Sequence, residues 1–426
     1  MVPRLLRCLF LVVPTEGSFL VHGKAMPSLQ TTYLVPVLCI CACNWLQGPY
    51  FYDIYKSKYS AEDQDRGVRT VYAVGYCSSM VSSFFAGVLT DRFGRMRGCL
   101  VCCLLYFLSC LSVHCDQIEF IYIGRMLGGV ASTLFHTAFE AWLNSAAAPE
   151  EVKLAVERQT FLGGVVAICA GGVATSAVKY MGPLAPFDVS ALFSAVAFVC
   201  IFCLWNENYG MLQAQEGGAN VSSGMFSRGK CATYCQPSLV CLALAQVTFE
   251  GVMHAFIMVW SPAAKEAAGH SGHAAISPGL IFSMFMASIM AGTQVFSFLS
   301  SQLGFQPRYI LVGVYAVGAA CLSASSYFFD RQLVLIGCFA GFELCCGAYF
   351  PGIALCRSSL IPNSIRASVT SLYRVPQNFI VIMLIVYGGE LGYKSRLQFC
   401  GLSLVLGAIS VLMLARSSVD RKHKAD

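Results

Sequence analysis

The sequence predicts an all-α membrane protein of twelve transmembrane helices arranged as two halves of six. Three observations carry that prediction. Of the 426 residues, 57% are hydrophobic and only 12% charged, and the mean hydropathy is +0.65. That charge is far below what a water-facing surface requires. Apolar runs of about twenty residues, the length that crosses a bilayer, recur along the whole chain. The longest polar stretch after the first run, about 206–236 (NENYGMLQAQEGGANVSSGMFSRGKCATYCQ), splits the runs six and six. It is rich in Gly, Ser, Asn and Gln, so it reads as a flexible linker.

The spans follow in order. The first, about 30–52, carries Asn44 and Gln47, with Gly48-Pro49 able to break the helix and free backbone groups. The second, about 68–90, runs into the polar loop GVLTDRFGRMRG at 87–98. The third, about 97–114, is apolar and cysteine-rich. The fourth, about 118–143, holds Arg125, His136 and Glu140. The fifth and sixth, about 159–180 and 186–205, are apolar and end at the linker. The seventh, about 238–260, places Gln246, Glu250 and His254 at i, i+4 and i+8. The eighth and ninth, about 276–299 and 308–328, are apolar. The tenth, about 333–356, carries Glu343 near its middle, followed by Gly347. The eleventh, about 367–389, repeats the i, i+4, i+8 pattern with Thr370, Arg374 and Asn378. The twelfth, about 396–415, is apolar.

This gives an N-terminal segment outside the core (1–29), a first six-helix half (30–205), a central cytoplasmic linker (206–236), a second half (237–416) and a cytoplasmic tail (417–426). The N-terminal segment has a basic start and a short apolar core, either signal-like or a partial extra helix. Pro14 and Glu16 cut it too short to span. Lys and Arg favour the inner segments if the N-terminus, linker and C-terminus are all cytoplasmic, although Lys56, Lys58, Arg66 and Arg69 dilute the bias. The sequon Asn220-Val221-Ser222 then lies inside and stays unmodified.

Most of the 22 cysteines sit within apolar runs, as in Cys39-Ile-Cys41-Ala-Cys43, Cys102-Cys103 and Cys345-Cys346, and read as small buried hydrophobes. None has the spacing of a zinc or iron–sulfur site. No phosphate loop or nucleophile–base pair is present, so neither an enzyme, a cofactor nor a metal is expected. A net charge of +6 fits basic cytoplasmic loops rather than nucleic-acid binding.

Geometry organises the charges of the fourth span. At about 100° per residue, Ser132 and His136 fall about 20° to either side of Arg125, and Glu140 about 60° away. Gly128 and Gly129 share that sector, while Met126, Leu127, Val130, Leu134 and Trp142 take the other side. A charge facing lipid costs at least about 2.5–3.5 kcal/mol, so the stripe should face a water-filled cavity or another helix.

The loop at 87–98 resembles the cytoplasmic loop motif of the major facilitator superfamily, G-x-L-x-D-R-x-G-R, through Gly87, Leu89, Asp91, Arg92, Gly94 and Arg95. WLQGPYFYDIY (45–55), GRMLGGVASTLFHTAFEAW (124–142), WNENYG (205–210), QVTFEGVMHAFIMVWSP (246–262), ELCCGAYFPGIALCRSSLIP (343–362) and YRVPQNF (373–379) together look like the molybdate-anion transporter branch of that superfamily. The resemblance runs in order from about residue 44 to 390. It implies the major facilitator fold, alternating access, and uptake of a tetrahedral oxyanion, molybdate first. It also implies that spans one, four, seven and ten line a central cavity, and that Gly87, Asp91, Arg92, Gly94 and Arg95 form a conformational latch.

A doubly charged oxyanion leaving water needs positive charge and several donors. Arg374 and Arg125 are the arginines placed clearly inside spans, one in each half. Arginine's planar fork suits oxyanions. Asn44, Gln47, Gln246 and Asn378 can supply neutral donors. Moving two negative charges inward against an inside-negative potential costs roughly 4.6 kcal/mol per 100 mV, so uptake calls for a co-transported cation or a steep gradient. Glu250, Glu343 and Glu140 are the candidates for carrying protons or pairing charge. Other roles stay open at these positions. Arg125 reads equally as a structural ion-pair partner, Glu140 as a latch partner, Glu250 as the mate of an arginine, and His136 and His254 as packing residues. The expected setting is a multi-pass protein of the plasma membrane rather than an internal one, monomeric by default for this fold, contacting lipid, oxyanion and protons. The alternatives are a transporter of another solute such as a sugar, kept alive by Tyr50, Tyr52 and Tyr349, and a transporter-like scaffold or receptor that carries nothing.

Overall fold

The computed structural model describes residues 19–21, 24–26, 29–60, 62–209, 237–271, 276–361, 379, 381 and 391–422. The chain forms two compact units, Met1–Gly218 and Ala219–Asp426. A two-stranded antiparallel hairpin, β1 (Phe19–Val21) and β2 (Lys24–Met26), precedes the first helix.

The first unit contains α1 (Leu29–Gln47), α2 (Phe51–Ser57), α3 (Gln64–Ser83), α4 (Ala86–Phe93), α5 (Arg95–Ser112), α6 (Ile118–Ala146), α7 (Pro149–Met181) and α8 (Ala185–Leu204). The second contains α9 (Pro237–Ser271), α10 (Pro278–Ser297), α11 (Pro307–Tyr327), α12 (Gln332–Leu360) and α13 (Tyr393–Lys422). Prolines stand in the first turns of α7, α8, α10 and α11, where the missing N–H loses no bond. Among the described residues, ten helices are long and apolar enough to cross a membrane, and the bent pair α3–α4 brings the number to eleven. The eleventh predicted span lies outside the described residues except for Phe379 and Val381.

Two local features differ from the sequence pattern. Gly48-Pro49 does not break the first span. A single 3-10 turn, Gly48–Tyr50, carries α1 into α2. The second span is instead bent, by 53° between α3 and α4. The Ser82 and Ser83 hydroxyls bond back to the carbonyls of Ser79 and Met80 just before the bend, a competition with the helix ladder that favours curvature.

Within the first unit α1 packs on α7 and α8, α6 on α3 and α5, and α5 on α8. Alanines line these contacts, as where Ala42 and Leu46 of α1 and Tyr50 of the turn after it cluster with Ala170 and Ala174 of α7. Within the second unit α12 packs on α10 and α11, and α13 on α9 and α11. Large apolar side chains stand exposed along the helices, Val199, Phe202, Leu402, Leu406 and Met413 among them, as lipid-facing surfaces require.

The two units repeat one packing scheme. On α6, Gly129 abuts the Gly75 carbonyl of α3 and the Met126 carbonyl accepts from Ser78 Oγ at 2.7 Å. On α12, Gly347 abuts the Ile289 carbonyl of α10, and Gly292 abuts the Leu344 carbonyl. One spacing relates Gly75 and Ser78 to Ile289 and Gly292. A second relates Met126 and Gly129 to Leu344 and Gly347. One turn before Gly129 and Gly347, this register aligns Arg125 with Glu343. In the third span of each half, Ser112 abuts Gly124 and Cys321 abuts Gly341. Six residues before each stands a buried tyrosine, Tyr106 or Tyr315.

Candidate functional site

The predicted stripe lies on α6, and Arg125 has the most defined surroundings. Its guanidinium carbon is 4.7 Å from the Phe51 ring centre and 5.8 Å from those of Tyr55 and Tyr72. The Tyr55 hydroxyl lies beside the guanidinium, and Tyr76 is close by. Helical spacing builds this cage: Phe51 and Tyr55 lie one turn apart on α2, and Tyr72 and Tyr76 one turn apart on α3. Gly75 leaves the space, since a Cβ there would come within 2.9 Å of Nη2. None of the ion pairs among the described residues includes Arg125, and its Nε is buried with no hydrogen-bond partner among them.

The energetics of such a cage are unequal. A desolvated cation–π contact is worth about 2 kcal/mol. Removing a charge from water costs several kcal/mol even after relaxation. The rings therefore hold the cation in place without neutralising it.

Farther along the stripe, Ser132 and Asn44 face the buried Tyr106 hydroxyl. His136 and Glu140 are exposed. Gln47 is buried, and its amide donates within its own helix to the Cys43 carbonyl at 2.8 Å. In the second unit, Gln246 is 2% exposed and its Oε1 has no partner among the described residues. Glu250 accepts from the Tyr349 hydroxyl at 3.3 Å. Glu343 is 8% exposed and lies next to the Cys346 thiol. Arg374 and Asn378 lie outside the described residues.

The loop motif forms a compact junction. Asp91 pairs with Arg95 at 2.7 Å, one helical turn apart across the α4–α5 corner. Arg95 also donates to the Ala141 carbonyl of α6 at 3.0 Å and to the Ser145 hydroxyl, so it reaches the end of α6 without using Glu140. Gly94 turns the corner at φ +114°, a conformation open to glycine, and a Cβ there would meet the Glu207 carboxylate. Gly87 and Arg92 stand exposed, apart from this junction.

Glu207 is a residue the sequence pattern did not single out. Its carboxylate accepts from the Met96 and Arg97 backbone N–H groups at 2.8 and 3.2 Å, capping the N-terminus of α5. The flanking residues join α5 and α6. Asn208 O accepts from Arg95 N, Asn206 O accepts from Trp142 Nε1, and Asn208 Nδ2 donates to Trp142 O. Trp205 stacks on Trp142 with ring centres 3.7 Å apart. Replacing Glu207 with Ala leaves two first-turn N–H groups without their carboxylate. We expect it to lower stability by about 1–2 kcal/mol. Thermal unfolding of the detergent-solubilised protein would register this as a lower midpoint, and an unchanged midpoint would refute it.

The aromatic cage was also missed. Its signal is present in the sequence as one-turn aromatic spacings in FYDIY and YAVGY, but an aromatic stripe by itself reads as packing.

A sequence profile for a family described as sugar transporters with twelve transmembrane segments matches residues 16–329. Curated relatives named molybdate-anion transporter include one from Xenopus tropicalis, 26% identical over 428 residues, covering 94% of this chain and 89% of the relative. Another, from Takifugu rubripes, is 27% identical over 466 residues, covering 96% and 92%. Among solved structures, the POT family transporter PepTSo superposes with TM-score 0.73 at 11% identity, covering 92% of this chain and 99% of that one. A peptide transporter POT in complex with sulfate gives TM-score 0.73 at 12% identity, covering 97% and 98%.

Proposed function

Since the chain belongs to the major facilitator superfamily, as a multi-pass membrane transporter, we propose that it carries a small tetrahedral oxyanion, molybdate first, into the cell by alternating access. The name shared by its curated relatives supports the substrate. The observation that carries the reading is the Arg125 cage. A guanidinium positioned by rings, rather than by a carboxylate, keeps its charge available to an incoming anion. Arg374 and Asn378, Gln246 and Asn44 are the further binding residues in this reading, and Gln47 is a weaker candidate because its amide is already bonded. The Asp91–Arg95 corner serves as the latch, joined to α6 and to Glu207. The plasma membrane and a monomeric state complete the proposal.

The sugar reading has less support. The three tyrosine hydroxyls that keep it alive are engaged within their own halves: Tyr50 with Thr175 at 3.3 Å, Tyr52 with Asp65 at 3.4 Å and Tyr349 with Glu250 at 3.3 Å.

The test is uptake of radiolabelled molybdate by cells displaying a measured amount of the chain at their surface. Uptake well above that of empty cells, poorly competed by excess sulfate, is the expected outcome. Uptake equal to that of empty cells, with the protein folded and at the surface, rejects molybdate.

Coupling to protons would make the cycle electroneutral at two protons per dianion, with Glu343 and Glu250 as the carriers. Glu343 occupies the repeat position that holds Arg125 in the first half, so one site of the duplicated scheme bears a fixed cation and the other a titratable acid. Glu343→Gln mimics the protonated carboxyl permanently. We expect wild-type uptake to rise as external pH falls, and the variant to lose that dependence and to stop accumulating anion above its equilibrium level. A variant with an unaltered pH profile would remove Glu343 from coupling.

A further inference from the structure

Tyr106 and Tyr315 each stand six residues before a close contact with the fourth span of their half, and are 4% and 0% exposed. Their hydroxyls are treated differently. Tyr315 donates to the Ala245 carbonyl of α9, an ordinary structural tie between the third and first helices of its half. Tyr106 also turns towards the first helix of its half, where it meets the Asn44 side chain, and towards Ser132 of α6. Yet its hydroxyl forms no well-made hydrogen bond among the described residues.

A buried hydroxyl whose bonds to its neighbours are poorly formed forfeits part of the about 1–3 kcal/mol that an unmade bond costs, and phenylalanine would fill the same space without that loss. The site also gathers the side chains of three separate helices, α1, α5 and α6. Tyr106 and Ser132 each bring an O–H donor and Asn44 an amide N–H pair. Ser132 shares the stripe of Arg125 and lies about 10 Å farther along α6, seven residues at about 1.5 Å each.

We propose that Tyr106, Asn44 and Ser132 form a second oxyanion-binding stage, a neutral set of donors that receives the anion from Arg125. The inference rests on the oxyanion reading above. A neutral stage binds a dianion less tightly than a guanidinium does. That difference is useful to a carrier, which must release what it captures. A ligand with convergent acceptor oxygens on every face, such as molybdate or sulfate, suits converging O–H and N–H groups. A cation does not.

The experiment compares full-length wild type, Tyr106→Phe and Tyr315→Phe, purified in detergent for thermal unfolding with and without molybdate, and expressed in cells for uptake. For Tyr106→Phe we expect an unfolding midpoint without anion equal to or above wild type. Its molybdate-induced rise should fall to less than half, and uptake should fall at least fivefold. For Tyr315→Phe we expect a lowered midpoint and a retained molybdate-induced rise. Wild-type uptake and a full molybdate response in Tyr106→Phe overturn the inference while leaving the oxyanion reading in place. A Tyr106→Phe midpoint lowered as in Tyr315→Phe also overturns it, because the hydroxyl is then structural. A wild type that neither takes up nor responds to molybdate or sulfate rejects the oxyanion reading, and this stage with it.

Discussion

Replacement of Arg125 by alanine should reduce molybdate uptake about 100-fold at matched surface amount, the largest functional loss expected of any single change in the described residues. A charge-assisted contact to a dehydrated anion is worth about 1.5–3 kcal/mol, and every 1.4 kcal/mol is a factor of ten. The low dielectric around the ring cage raises the effect towards the upper end. Lysine should recover only part of the loss, to roughly tenfold below wild type. Its ammonium is a point charge without the planar fork that lies among Phe51, Tyr55 and Tyr72. Initial uptake rates, divided by surface protein and read beside unfolding midpoints, separate two meanings of a deficit. Normal transport per folded molecule in Arg125→Ala, with a lowered midpoint, would make Arg125 a packing residue and withdraw the cage from the binding site.

Valine at Gly347 should abolish recovery of folded protein, and alanine should lower the unfolding midpoint by roughly 5–10 °C. At this point α12 and α10 approach so closely that a Cβ would strike the Ile289 carbonyl. Backbone cannot rotate away as a side chain can, so the two helices must separate. Gly337 on the same helix is the control, with nothing within 4 Å of its Cβ position. Gly337→Ala should be neutral or slightly stabilising, because alanine is the better helix former by about 1 kcal/mol. Gel filtration of detergent extracts and thermal unfolding read both results. A well-behaved Gly347→Val protein would mean that the contact is not a determinant of the fold.

Much of the architecture was legible in the sequence because a bilayer imposes one coarse rule, an apolar run of fixed length. The loop motif was legible for a different reason: its glycines and charges sit at fixed spacings around one corner, and Asp91 and Arg95 do meet there. Helical periodicity also placed Arg125, Ser132, His136 and Glu140 on one face of α6. Periodicity says nothing of what neighbouring helices bring to that face. The ring cage around Arg125 is assembled from α2 and α3, and the Tyr106 cluster from α1 and α5, through contacts distant in sequence. The bend between α3 and α4 was hidden because serine hydroxyls, not proline or glycine, weaken the ladder there. Gly48-Pro49, the more conspicuous signal, fits a 3-10 turn in which Pro49 needs no donor. Glu207 escaped notice because its meaning depends on a helix N-terminus more than a hundred residues earlier in the chain.

The Glu207 junction bears on the order of biosynthesis. Residues 205–209 are the last of the first unit's described residues to be synthesised, and they bind the start of α5 and the end of α6, both made long before. Until they emerge, the N–H groups at the head of α5 lack their carboxylate and Trp142 lacks its stacking partner. At about 5–20 residues per second, residues 210–236 then occupy the ribosome for roughly one to five seconds before α9 begins. The residues that fasten the first half are therefore made before any of α9, and they emerge at about the time α9 begins. The linker between them thereby sets how much of the second repeat has been made when the first can close its own end.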